Sequence, residues 1–123
     1  MEKYLKCVLT ILAIIAVFFP ALSWGQVYDL NIIIPRLILC ESGGRSVKHL
    51  DTNNKYSYGV LQIQSSTAKM WNKEAGTDLD PMRPQEAITL AIYAIEKGYG
   101  KHWTCWRTLG LGRFRIGVEL AVL

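Results

Sequence analysis

Histidine is scarce in this sequence. His49 and His102 lie far apart and neither has ligand spacing, which excludes a zinc site and leaves nothing that calls for a metal or other cofactor. There is no basic run and no recognition motif for nucleic acid, so the net charge of +4 is a mild excess rather than a polyanion-binding signature. Internal repeats and low-complexity tracts are missing too, and 123 residues allow one domain. Cysteine is limited to Cys7, Cys40 and Cys105.

The start of the chain does not read as domain. Lys3 and Lys6 precede an apolar run from Val8 to Phe19, followed by Pro20, Ala21, Ser23 and Gly25. A charged start, a short greasy core and small residues after it read as a secretory signal peptide over residues 1–25, cleaved after Ser23 or Gly25. The alternative is an uncleaved anchor, since Cys7 to Trp24 is almost long enough to span a bilayer. Either way the rest lies outside the cytoplasm, secreted or periplasmic, and touches a membrane only through this segment. Removing it takes away Cys7 and leaves Cys40 and Cys105, which an oxidising compartment favours as a disulfide. It also removes Lys3 and Lys6 against Glu2, so the exported part keeps an excess of three positive charges. That excess suits an anionic envelope polymer or membrane surface.

The rest is organised around Cys40-Glu41-Ser42-Gly43-Gly44 and Ser57-Tyr58-Gly59-Val60-Leu61-Gln62-Ile63. Ile32 to Leu39 is almost wholly aliphatic and predicts a helix that Gly43 and Gly44 stop, with Glu41 in its last turn. The negative end of the helix dipole and the greasy neighbours both favour a protonated carboxyl there. A carboxylic acid kept neutral near neutral pH is what a general acid requires. Downstream, Ser57 and Gln62 offer hydrogen bonds to a ligand, and Gly59 lets backbone approach closely.

Glu-Ser-Gly followed some fifteen residues on by Ser-x-Gly-x-x-Gln-Ile resembles the lytic transglycosylase domain of the soluble-transglycosylase type, within the lysozyme-like superfamily. The resemblance runs on through Ser66-Thr67-Ala68 and from Asp80-Pro81 to Ile95, covering roughly residues 32–106. It implies a small, mainly α, lysozyme-like domain over residues 26–110 with a groove for peptidoglycan glycan strands. It also implies that Glu41 protonates the bond between N-acetylmuramic acid and N-acetylglucosamine. Glu41 would then take the proton of the muramic C6 hydroxyl as that hydroxyl attacks the anomeric carbon, giving a 1,6-anhydro product. Ser57 and Gln62 match positions that line the cleft, with turn capping as their plainer role. Ser42 reads as structural support, Tyr58 as a sugar contact or a packing residue, and Tyr93 as an aromatic that orients the acid. Such an enzyme remodels the wall or opens it for a secretion, conjugation or phage apparatus.

Two other readings stay open. Ordinary glycoside hydrolysis uses two carboxyl groups, and Asp51 is the only nearby second one, although it reads more simply as a solvated loop residue. A hydrolase of the lysozyme muramidase type is therefore an alternative, as is a peptidoglycan-binding module without turnover. Many members of the family carry an Ala-Tyr-Asn segment after the third helix whose tyrosine touches the acid. Here Gly98 to Trp106 holds no such tripeptide, so the orientation of Glu41 is unexplained.

The remaining elements follow from local signals. Asp29 or Asn31 caps the Glu41 helix, and Pro35 has to lie in or near its first turn or kink it. Arg45 to Tyr56 is polar, without period, and reads as a loop forming one wall of a groove. Ser65 or Ser66 caps a helix from Thr67 to Ala75 that Gly76 ends. Pro84 opens another, with Ala87, Ile88, Ala91, Ile92 and Ile95 as its core face and Gly98 beyond its end. Trp103 and Trp106, beside Cys105, read as core rather than sugar platforms. Residues 111–123 are left unassigned.

Overall fold

The aliphatic run before Cys40 folds as expected, and the rest of the domain is laid against it. The structure, a computed structural model, describes residues 1–18 and 27–116. The domain is mainly helical with small antiparallel sheets. Ahead of it stands helix α1 (Glu2–Phe18), which carries the exposed Cys7. Among the described residues no helix is long and apolar enough to cross a membrane, and the expected cleavage sites at Ser23 and Gly25 lie outside them.

Strand β1 (Val27–Tyr28) leads into α2 (Leu30–Ser42). Asp29 holds the cap position, but through its carbonyl, which accepts from the Ile32 and Ile33 N–H groups at 3.2 and 3.0 Å, and not through its side chain. Pro35 falls in the second turn, deeper than expected, and lacks the N–H that would bond the Asn31 carbonyl. Ile33, Ile34 and Leu37 face the core, while Ile32, Pro35, Arg36 and Leu39 form an exposed stripe. Gly43 ends the helix at φ +64°, its N–H bonded to the Leu39 carbonyl at 3.0 Å. A left-handed residue at this point leaves Glu41 in the final turn, as the glycine pair predicts.

The segment 45–56 corrects the sequence reading. A third of it is strand β2 (Val47–Leu50), paired antiparallel with β3 (Tyr56–Gly59), which pairs in turn with β4 (Ile63–Gln64). His49 lies opposite Ser57, and Ser57 opposite Gln64. No alternation betrayed β2 because three of its four residues are exposed, so neither face demands apolar side chains.

Helix α3 (Ser65–Ala75) begins two residues before the expected Thr67, with Gln64 rather than a serine in the cap position, and closes on Gly76 at φ +69°. Helix α4 (Pro84–Glu96) opens on Pro84, and Glu86 in its first turn accepts from the Asp80 N–H at 2.7 Å. Ala87, Ala91 and Ile95 are fully buried, together with Leu90 and Ala94, whereas Ile88 and Ile92 form the half-buried rim of that face. A short 3-10 turn (Gly100–His102) and α5 (Thr104–Thr108) then bring Trp103 and Trp106 into the core. The Trp103 indole N–H donates to the Leu61 carbonyl at 2.8 Å, and Trp71 packs on both Trp103 and His102. Tyr28 meets Trp106 edge-on.

Cys40 and Cys105 form the expected disulfide, with Cα atoms 6.1 Å apart and a sequence separation of 65. A crosslink of that kind suits an oxidising, extracytoplasmic setting.

The boundary drawn at residue 110 cuts into the fold. Leu111 is fully buried in the core, and β5 (Arg115–Ile116) pairs with β1, Val27 opposite Ile116 and Tyr28 opposite Arg115. The Asp29 N–H bonds the Phe114 carbonyl at 2.8 Å, so both ends of the domain close on each other. Residues 117–123 lie outside those described. Leu111→Ala should therefore cost about 2 to 5 kcal/mol, measured by urea unfolding, whereas a loosely docked tail would leave the midpoint unchanged.

Candidate active site

One groove of about 760 Å³ dominates the surface around the end of α2. Cys40 to Gly43 form its floor, the hairpin residues 47–53 with Ser57, Gln62 and Gln64 one wall, and His102 to Thr104 the other. Its size falls within the roughly 300–1,000 Å³ usual for ligand sites. Among the described residues no cluster of three or more His, Cys, Asp or Glu side chains is placed to hold a metal ion.

Glu41 is half-buried, and its Oε1 is sealed from solvent with no hydrogen-bond partner among the described residues. Burial pushes its carboxyl above the ordinary value, and the negative charge of Asp51 adds to the rise. The nearby Cys105 backbone works the other way. Tyr99, the tyrosine in the stretch 98–106, turns its hydroxyl to Glu74 at 3.0 Å.

Asp51 is the second carboxyl of the groove, a loop residue whose side chain stays 31% exposed and is hydrogen-bonded. Its Oδ2 accepts the Ser57 hydroxyl and, at 2.8 Å, the Gln64 amide. His49 Nδ1 stands 3.7 Å from Oδ1. The Ser57 bond, followed by the Gln64 bond and the nearby His49, holds the Asp51 carboxyl below its ordinary value despite some desolvation. The two acids are thus driven apart, Glu41 toward neutral and Asp51 toward ionised.

Ser57 is 3% exposed, lines the groove and donates its hydroxyl to Asp51. Gln62 lines the groove at φ +49° and also staples it, its amide donating to the Val47 and Gly59 carbonyls at 2.9 and 2.8 Å. Ser42 is the support it was taken for: its hydroxyl donates to the Val60 carbonyl at 2.7 Å and accepts from the Gly44 N–H at 3.2 Å. The close approach at Gly59 is made by protein, since a Cβ there would overlap the Pro81 carbonyl.

Two expected residues are not in the groove. Tyr58 alternates with Ser57 along β3 and lines a smaller hollow beside Ala68, Asn72 and Leu79, with the Lys48 ammonium 5.7 Å from its ring. Tyr93 turns its hydroxyl to Glu74 at 3.2 Å. Residues the sequence did not single out take their place. Gln64 and Asn53 brace Asp51 or each other, and His102 closes the far wall with a pKa lowered by burial, which favours the neutral imidazole. Only the strand register, with Gln64 opposite Ser57, could have revealed Gln64.

The chain matches no protein-family model, no curated protein sequence and no solved structure.

The opposed shifts give opposite pH behaviour. Because Glu41 holds its proton more tightly folded than unfolded, it withdraws stability as pH climbs from the ordinary value of 4.5 through the raised folded one. Glu41→Gln should raise the urea midpoint at neutral pH, and the gain should vanish below pH 4.5. Asp51 has the reverse sign: its ionised form adds stability above 3.8, lost as pH falls through the lowered folded value. Ser57→Ala should cost about 1 kcal/mol near neutrality, a figure discounted for the partial exposure of Asp51. That cost should fade in acid, again read from urea midpoints.

Proposed function

We propose that this protein is an extracytoplasmic, lysozyme-like enzyme that cleaves peptidoglycan glycan strands as a lytic transglycosylase. The observation that carries the reading is a single half-buried carboxyl, Glu41, raised by burial and set in an open groove against an ionised Asp51. The motif resemblance supplies the substrate.

A glycan strand lies in the groove with the bond between N-acetylmuramic acid and N-acetylglucosamine at Glu41. Protonated Glu41 gives its proton to the glycosidic oxygen, and the C1–O bond breaks with that oxygen leaving as a hydroxyl. Positive charge then grows on the anomeric carbon and ring oxygen, where the fixed negative charge of Asp51 favours it. Glu41, now ionised, takes the proton of the muramic C6 hydroxyl as its oxygen bonds to C1. This closes the 1,6-anhydro ring and restores the acid. Proton count balances over the cycle with one carboxyl and no water.

Asp51 also favours a second reading, hydrolysis, in which it serves as the second carboxylate and water attacks C1. Against this, Oδ2 is already engaged by Ser57 and Gln64 and Oδ1 faces His49, an arrangement suited to a fixed charge more than to a nucleophile or base.

Incubation of the protein with purified sacculi and mass analysis of soluble fragments tests both readings. Anhydro ends are expected. Reducing ends would replace the proposal with hydrolysis, and capture of sacculi without release would mean a binding module. Glu41→Gln should lower release about 10²–10⁴-fold while glycan binding persists. Asp51→Asn should slow release and leave the anhydro ends in place.

A further inference from the structure

A second feature lies outside the groove and shares no residue with its lining. The exposed stripe of α2 sets Ile32 and Leu39, the latter 72% exposed, on either side of Arg36. The Arg36 guanidinium lies 4.8 Å from the centre of the Phe114 ring, and that of Arg113 lies at the same distance. Arg115 covers Tyr28 at 5.5 Å, and the facing pair Val27 and Ile116, 51% and 53% exposed, ends the β1–β5 ladder. The Arg36–Phe114 and Arg115–Tyr28 contacts join α2 and both ends of the domain into one patch crossed by three arginines, with Val27 and Ile116 on the alternate side of the ladder. None of the three forms an ion pair among the described residues. From Arg107 to Ile116 the sequence contains no acid.

We propose that this face docks the folded domain on an anionic phospholipid bilayer. Guanidinium groups held beside aromatic rings, with exposed aliphatic side chains between them, match an interface where headgroups are negative and acyl chains begin just below. The face also lies where the apolar N-terminal segment enters. Eight residues, 19–26, separate α1 from Val27, so the apolar run lies at most roughly 30 Å of chain from the face. The face works whether or not that segment remains, and it holds the groove within reach of the bilayer surface. It does not depend on what the groove cleaves.

Co-sedimentation of the full chain with vesicles tests the proposal, comparing equal parts phosphatidylglycerol and phosphatidylcholine with phosphatidylcholine alone. The α1 segment is common to every variant, so the readout is the preference for anionic vesicles. That preference should be about tenfold or more at low salt and collapse in about 0.5 M salt. The combined change Arg36→Gln, Arg113→Gln, Arg115→Gln should abolish it, the matching lysine replacements should keep most of it, and Leu39→Ser should weaken it several-fold. A preference that survives high salt or the glutamine replacements overturns the proposal. If soluble polyglutamate binds as tightly as the vesicles and Leu39→Ser changes nothing, the face is a polyanion site and the proposal fails. If the glutamine replacements dissociate a dimer in sedimentation and leave the vesicle preference intact, the face is a contact between copies, and it fails again.

Discussion

The site depends on one covalent constraint. The disulfide joins Cys40, the residue before Glu41, to Cys105 in α5, beside the groove wall at Trp103 and Thr104. Successive helical side chains diverge by about 100°, so Cys40 can tie α2 to α5 while Glu41 turns into the groove. A loop of 65 residues closed this way restricts the unfolded chain by about 4 kcal/mol on the entropy model. For a domain with so small a core that share is large. The same bond therefore holds the fold together and fixes the distance between the acid and the wall facing it.

Around this tether the two carboxyls live in opposite environments at a cost. An oxygen of Glu41 is sealed without a partner among the described residues, an arrangement that a domain selected for stability alone would not keep. Asp51 is held by Ser57 and Gln64, whose register on β3 and β4 is set by the hairpin, which Gln62 staples from within. Stability is spent at the helix end and recovered in the hairpin. The proposed reaction needs that division, because an acid that donates first must be neutral and the charge that steadies the developing cation must not be.

The helices were legible because punctuation marks them. Gly43 and Gly76 adopt the left-handed conformation that closes a helix, Pro84 sits where its missing N–H does no harm, and the aliphatic spacing after it found the buried face of α4. Glu41 could be placed from those glycines alone. The hairpin wall could not, since a short strand with one half-buried residue carries no alternating pattern, and so Asp51 looked like an ordinary loop aspartate. Tyr58 and Tyr93 went astray for a related reason. Being near the motif in sequence does not decide which face of a strand or helix a ring takes, and packing assigned Tyr58 to the neighbouring hollow and Tyr93 to Glu74. Leu111 and the β1–β5 ladder were invisible because two-residue strands are defined only by the partner they meet.

Asp51 is where the remaining chemistry turns. A base must have a free lone pair aimed at the proton it takes, and a nucleophile must reach the anomeric carbon within bonding distance. The hydroxyl of Ser57 and the amide of Gln64 both point at Oδ2, and the imidazole of His49 stands by Oδ1, so moving the carboxylate toward a substrate would break bonds that are among the strongest at the site. A charge fixed in this way stabilises a cation at no reorganisation cost but takes part in no bond-making. The attacking oxygen and the group that deprotonates it must then come from elsewhere. In the proposed reaction the second of these is Glu41, and the first is the sugar's own hydroxyl.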